Sequence, residues 1–361
     1  MSQFLKRKML NDYDANNENY KTISILSQCC QGIGTVHLAK HLSSGQMVAI
    51  KKFNMDKAKD EINLIEQEII LTRQLKHLNI IKYHIAFVSG PEVCVISPLM
   101  GYGSCRDLIN THFNDGLPEN AIALITRSVL DALDYIHKRG IIHRAIRASH
   151  ILISASGLTC LSGFRYSCPI VNNGRWQKQI HSFPASTARN LNWLSPEVLE
   201  QNLEGYNERS DIYSFGMLIC ELANGSEPYS NTSSTLMLTE KVRGCIPPLL
   251  DCTTLPDESE MHGDSGLKLS YHRQARRQFS DYLHELSMLC LQRNPYERPT
   301  TNYLLTHPFY KLSRRTLQLC ELLKPALPLS DKVAYNNDEM ECFESLQKIT
   351  DIDLYSCDWD F

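Results

Sequence analysis

The chain has 361 residues, with 37 Lys+Arg against 40 Asp+Glu and a formal net charge of -3. That near balance excludes a nucleic-acid binder working by bulk charge. A hydrophobic share of 43% with 21% charged residues excludes wholesale disorder, and the length allows either two or three compact units or one two-lobed unit with tails.

There are 13 cysteines but no C-x-x-C pair, and the adjacent Cys29 and Cys30 do not have metal-ligand spacing. The expectation is a reduced protein with mostly buried free thiols. The opening MSQFLKRKML is basic but lacks the apolar core of a secretory leader. No stretch approaches the roughly 20 apolar residues of a membrane span. A soluble protein of cytoplasm and nucleus is expected.

Residues 1–19 are polar and Asn-rich, which predicts a flexible N-terminal tail. TVHLAKHL and QMVAIKKF flank Ser43-Ser44-Gly45 and read as a hairpin. DEINLIEQEIILTRQL places Ile62, Ile65, Ile69 and Leu75 near helical spacing, and EVCVISPLM reads as a strand ending at Pro98. Beyond residue 105 helices dominate. The segment 118–139 opens on a proline and closes before Gly140. Two short apolar runs, IIHRAIR and ILIS, precede an irregular stretch over 165–192. SDIYSFGMLICELANG (210–225) predicts a core helix, and 245–275 reads as a surface loop. A small strand-rich lobe followed by a helical lobe implies a cleft, the usual place for a small ligand.

Chemistry-bearing motifs then fall in order. They are Val48-Ala49-Ile50-Lys51, Glu68 on the next helix, His143-Arg144-Ala145, Ser195-Pro196-Glu197, Asp211, and RNPYERP ending at Arg298-Pro299. The set resembles the eukaryotic protein kinase family across residues 20–310. The resemblance implies an α+β fold with a β-rich small lobe carrying one main helix and a large helical lobe, followed by a C-terminal helix and tail over 311–361.

Catalytic positions of that family depart from its pattern. The glycine-rich loop, anchored on Val36, falls on Cys29, Gln31 and Gly34, so one glycine survives in register; a one-residue shift would bring Gly32 into use. Lys51 and Glu68 match the ion pair that holds nucleotide phosphates. The proton-accepting Asp is replaced by Ala145, and the magnesium Asn by His150, a poor stand-in because Mg²⁺ prefers oxygen donors. Gly163-Phe164-Arg165 replaces D-F-G, so Gly163 stands for the magnesium Asp. Arg165 either offsets phosphate charge in place of the metal or faces solvent. Losing a general base costs about 10²–10⁴-fold in rate, and losing metal charge stabilisation costs about several kcal/mol more.

The scaffold positions are retained. The resemblance implies structural roles for His143, Arg144 and Phe164, a Glu197–Arg298 ion pair and a buried Asp211 anchor. Ala49 and Leu152 match residues that sandwich adenine, and Pro98 and Met100 match its hinge contacts, Pro98 keeping a carbonyl but no N–H. ATP binding without magnesium is therefore expected, with no metal site.

HRAIRASHILIS, LSGFR, NWLSPEVLEQNLEGYNERSDIYS, CELANG and CLQRNPYERP, with Trp359-Asp360-Phe361 at the end, narrow the resemblance to the STE20-related adaptor pseudokinases. That resemblance implies a partner kinase, liver kinase B, bound as a pseudosubstrate, activated allosterically and retained in the cytoplasm. It also implies a helical-repeat (armadillo-type) scaffold, calcium-binding protein 39, gripping a terminal W-E-F peptide. Here Asp360 replaces the Glu and keeps the charge. Two aromatics on an acidic tail suit a partner pocket with a basic rim. In the irregular stretch, Arg175, Trp176 and Phe183 are candidate partner anchors. A weakly active divergent Ser/Thr kinase is the alternative, and a passive tether a third reading.

Overall fold

The structure is a computed structural model that describes residues 13–329, except 173, 184–189, 202, 256–272 and 313–317. The two lobes expected from the motif order are present. The small lobe is a five-stranded antiparallel sheet ordered β1-β2-β3-β5-β4, with β1 at Tyr20–Cys29, β2 at Gly34–His41, β3 at Met47–Asn54, β4 at Ile85–Ser89 and β5 at Glu92–Pro98. β3 lies between β2 and β5 and buries both faces, which is why its sequence runs apolar through Met47–Ile50 instead of alternating. Lys51 therefore enters a strand whose neighbours are Val36 and Val95. Helix α1 (Ile62–Gln74) buries Ile65, Glu68 and Thr72, a stripe at helical spacing.

The folded lobe begins earlier than the tail expected over 1–19 suggests. Tyr13 packs its ring 4.3 Å from that of His84, and its hydroxyl donates to Gln46 Oε1 (2.9 Å). Tyr20 donates to the Asp14 carbonyl (2.9 Å), so residues 13–19 belong to the small lobe. Residues 1–12 lie outside the described residues.

The large lobe is built on α3 (Glu119–His137) and α4 (Arg209–Asn224), with α2 (Cys105–His112) beside the hinge. Ser104 and Asp107 close a reciprocal capping box at the start of α2. α3 buries Ile122, Ile125, Val129, Leu133 and Ile136 along one face. In α4 all residues from Ser210 to Ala223 are buried, as its apolar sequence predicted. Gly216 lets α6 (Asp281–Cys290) approach closely, because a Cβ there would sit 2.8 Å from Cys290 Cβ. α5 (Ser234–Arg243) lies between α4 and α6 in the chain.

The cleft edge carries the short strands β6 (Gly103–Ser104), β7 (Ile141–Ile142), β8 (Ile151–Ile153) and β9 (Thr159–Leu161). The stretch expected to be irregular contains three more, β10 (Cys168–Pro169), β11 (Val171–Asn172) and β12 (Arg175–Trp176). The surface loop expected over 245–275 is anchored at its start. Asp251 is buried and accepts from Thr253 N (2.9 Å), Phe279 N (2.9 Å) and His284 Nε2 (3.0 Å). At the C-terminal end, Leu319, Leu323 and Ala326 are buried in the large-lobe core, so the folded body extends past the expected boundary at 310. No helix among the described residues is long and apolar enough to cross a membrane.

Candidate functional site

The interlobe cleft gathers the residues singled out by sequence. Val36, Ala49, Met100 and Leu152 join one buried cluster spanning both lobes. Gly34 pairs with Cys29 across β1–β2, and the Cys29 thiol folds over it; a Cβ on Gly34 would lie 2.5 Å from that sulfur. Cys29 and Cys30 are both buried, with Cys30 held at φ 54. The loop thus turns thiols inward where glycines would leave room for phosphates.

Lys51 Nζ donates to Glu68 Oε1 (2.9 Å), with both side chains at most 4% exposed. Tyr83, which sequence reasoning missed, also donates its hydroxyl to Glu68 Oε1 (2.6 Å). Burial alone would depress the Lys51 ammonium. The Glu68 carboxylate, with help from Tyr83 and the two thiols, leaves its pKa raised well above the ordinary lysine value.

Arg165 does not face solvent. It forms an ion pair with Glu61, just ahead of α1, and is 3% exposed. The solvent alternative is therefore corrected. The pairing also commits part of the guanidinium to the small lobe, while its Nε and Nη1 are buried without an acceptor among the described residues. Two residues on, the Ser167 carbonyl accepts from Gln67 of α1. α1 is thereby fastened to the segment after Gly163 at two points and to β3 at a third.

At the catalytic positions, His150 is 1% exposed, and its Nδ1–H donates to the Ala145 carbonyl (2.6 Å). Its ring lies against Gly163: a Cβ on that residue, held at φ +80, would meet His150 Cγ and Nδ1 at 2.5 Å. An imidazole therefore fills the space into which a side chain at 163 would project. Ala145 is buried and offers no side-chain acceptor. Among the described residues no cluster of three or more His, Cys, Asp or Glu is placed to hold a metal.

His143 and Phe164 stack edge-to-face at 4.8 Å. His143 is a neutral tautomer by geometry, its Nε2–H donating to Ser162 O (2.8 Å) and its Nδ1 accepting from Ala145 N (3.2 Å). Asp211 accepts from His143 N, Arg144 N and His137 Nε2, each at 2.8 Å. Burial would raise its carboxyl pKa, but the His137 hydrogen bond and neighbouring charges hold it below the usual range. Arg298 forks onto Glu197 through Nη1 (2.6 Å) and Nη2 (2.8 Å).

Burial pushes His143 down to about 3 and His84 down to about 4, the latter with help from Lys82. The unfolded chain takes up these protons near the ordinary histidine value of about 6.5, while the native state refuses them. Native stability is therefore complete above about 6.5 and falls as pH drops towards these lower values. The slope is up to about 1.4 kcal/mol per pH unit from His143. Denaturant unfolding at pH 7, 6 and 5 should show this decline, and His84→Gln should make it shallower. A flat profile would refute it.

Arg144 adopts φ 64 and gives its side chain to backbone and phenol oxygens: Tyr166 O, Ser182 O (3.2 Å) and Tyr206 OH (2.9 Å). Lys241 on α5, unforeseen from sequence, is buried and donates to the carbonyls of Leu191 (3.1 Å), Asn192 (2.7 Å) and Leu194 (2.8 Å). Burial lowers its pKa to about 7. Of the candidate partner anchors, Arg175 is exposed and Trp176 is 60% exposed on β12. Phe183 instead packs against the cluster of Ile142, Ile170, Leu194 and Tyr206, which corrects its reading as a free anchor. Trp359, Asp360 and Phe361 lie outside the described residues.

Comparison with known proteins matches residues 31–310 to the protein kinase domain family. The chain is 37% identical over its whole length to STE20-related kinase adapter protein alpha of Mus musculus, covering 89% of that protein. It is 41% identical to the Gallus gallus alpha protein, covering 86% of each chain. The chain belongs to the STE20-related kinase adapter family. The beta protein of Homo sapiens, 36% identical over 86% of this chain and 80% of its own, is a further member of that adapter family. The names of these adapter-family relatives support an adapter role for this kinase fold.

Proposed function

We propose that this chain is a catalytically inactive kinase fold that binds a client Ser/Thr kinase similar to liver kinase B and activates it allosterically. In this reading it works in a ternary complex with the armadillo-type scaffold calcium-binding protein 39, engaged through Trp359-Asp360-Phe361. It also shifts the client from nucleus to cytoplasm. The observation that carries the inactive part is the His150 imidazole packed against Gly163, with Ala145 at the position of the base. A metal ligand at 163 has no room, and no proton acceptor stands where one is needed.

ATP would enter without magnesium. Its phosphates would be met by Lys51 and by the two unpartnered N–H groups of Arg165, and its base by the cluster of Val36, Ala49, Met100 and Leu152. The orphaned guanidinium nitrogens fit an anion. The allosteric part is supported by α1 held inward by the Lys51–Glu68, Tyr83–Glu68 and Arg165–Glu61 contacts. An activator must prefer the active state of its client, and a surface already assembled does so without an ordering cost.

Reconstituted client kinase activity tests this reading, with and without this chain and the scaffold. The chain is expected to phosphorylate nothing alone and to stimulate the client in the ternary mixture. Deleting 359–361 should remove scaffold dependence, and Trp176→Ala should reduce stimulation at least about fivefold, the loss of one aromatic interface anchor. Phosphate incorporation by the chain alone, stopped by Lys51→Ala, would replace this proposal with a divergent enzyme.

A further inference from the structure

After the large lobe, residues 318–329 return to the hinge. Leu319, Leu323 and Ala326 are buried in the large-lobe core, and α7 (Leu319–Leu322) supplies one turn of helix there. Cys320 Sγ donates to the Ala155 carbonyl (3.5 Å), beside the tight turn at Gly157. Tyr102, just past the hinge, is buried in the same core cluster, against which Cys320 packs. Leu329 then donates its backbone N–H to the Gly101 carbonyl (2.8 Å). The Leu329 side chain packs on the cluster that joins Val36, Ala49 and Met100 with Leu152 and Cys160. Backbone approach at this point is close: a Cβ on Gly101 would lie 2.3 Å from Leu329 O and 3.0 Å from Ala155 Cβ. Glycine at 101 is thus required by the passing strand of chain and not by its own φ.

We propose that residues 318–329 are an interlobe brace. One end is sunk in the large-lobe core, and the other grips the hinge at Gly101. The covalent connection between the β-sheet and the large lobe is a short run of chain from Pro98 to Gly103, a place where relative lobe motion would concentrate. The brace ties that run to the rigid lobe by the hydrogen bond at Gly101 and by packing at Tyr102, and so fixes the angle between the lobes. This goes beyond the adapter reading and does not depend on nucleotide or client.

Two variants reach the contact from opposite sides. Leu329→Pro removes the N–H that Gly101 accepts, and Gly101→Ala pushes a methyl group into Leu329 O. Both leave Lys51, Glu68, His143 and Asp211 untouched. Hydrogen–deuterium exchange on the full chain, read over peptides covering 97–104, should speed up by about three- to tenfold in both, the range set by losing one hydrogen bond. Exchange in α3 and α4 should stay at the parent level, which separates release of the brace from general loosening. Unchanged hinge exchange in both variants would overturn the proposal, and so would equal acceleration throughout α3 and α4. A magnesium-free titration with a fluorescent ATP analogue, run in parallel, reports separately on the nucleotide reading. Failure of the wild type to bind it would refute that reading and leave the exchange result intact.

Discussion

Arg298→Ala is expected to destabilise the fold by about 3–5 kcal/mol, the cost of stripping one partner from a buried ion pair. The guanidinium is fully enclosed and Glu197 is 8% exposed. Beyond the fork onto Glu197, Arg298 donates to the carbonyls of Gln292 (2.7 Å), Arg209 (3.1 Å) and Arg293 (2.9 Å). Alanine would leave a carboxylate and three carbonyls without their donor, in a place where water cannot readily replace it. The turn Pro196–Leu199, the start of α4 and the segment before Arg298 would all lose their common tie. Arg298→Lys keeps the charge but cannot reproduce the fork, so only a minor part of the loss should return. Glu197→Gln combined with Arg298→Met should recover more than lysine does, because no buried charge is then left unpaired. Equilibrium denaturation measures all four proteins. A loss below about 1 kcal/mol for the alanine variant would mean that the pair does not anchor this lobe.

The second expectation concerns the metal position. Gly163→Asp alone should fail to create a magnesium site and should lower stability by about 1–3 kcal/mol through overpacking. Its Cβ would collide with the His150 ring, and the residue would be held at φ +80. His150→Asn with Gly163→Asp replaces the ring by a smaller amide that can rotate away from 163, and places two oxygen donors together. In that double variant Mg²⁺ should tighten ATP binding by about tenfold or more, the scale of metal charge stabilisation. In the parent, Mg²⁺ should leave ATP affinity unchanged. Calorimetric titration in EDTA and in magnesium buffer gives the comparison. Magnesium-enhanced binding by the parent would sink the account of a site filled by imidazole. Adding Ala145→Asp to the double variant then asks whether a proton acceptor restores turnover.

Much of the cleft was legible because it is carried by local pattern. The apolar run of β3 fixes where Lys51 sits, helical spacing puts Glu68 one turn beyond Ile65, and the dense apolar stretch at 210–223 announces α4. What stayed hidden depends on acceptors that a sequence does not display. Lys241 looks like any helix lysine, yet its three partners are backbone carbonyls some fifty residues away. Arg165 finds Glu61 across 104 residues, and Tyr83 finds Glu68 only because β-sheet and helix are pressed together. Phe183 misled for a related reason: its pocket is assembled from Ile142, Ile170, Leu194 and Tyr206, none of which adjoins it in the chain. The boundary at 19 was set by composition and the one at 310 by the reach of the kinase resemblance. Tyr13, an aromatic in polar surroundings, and Leu323, in a leucine-rich run, carry the fold past both.

Arg144 has one more consequence. Its guanidinium is occupied by Tyr166 O, Ser182 O and Tyr206 OH, so the chain at Tyr166 and at Ser182 is tethered by uncharged oxygens. This tether is made from the chain's own oxygens. For an adapter, the number of copies present is then a variable in its own right. By mass action, the fraction of a partner that is engaged follows the copy number against the dissociation constant. In the proposed adapter role the amount of this protein, set against the amount of its partner, would determine how much partner is engaged.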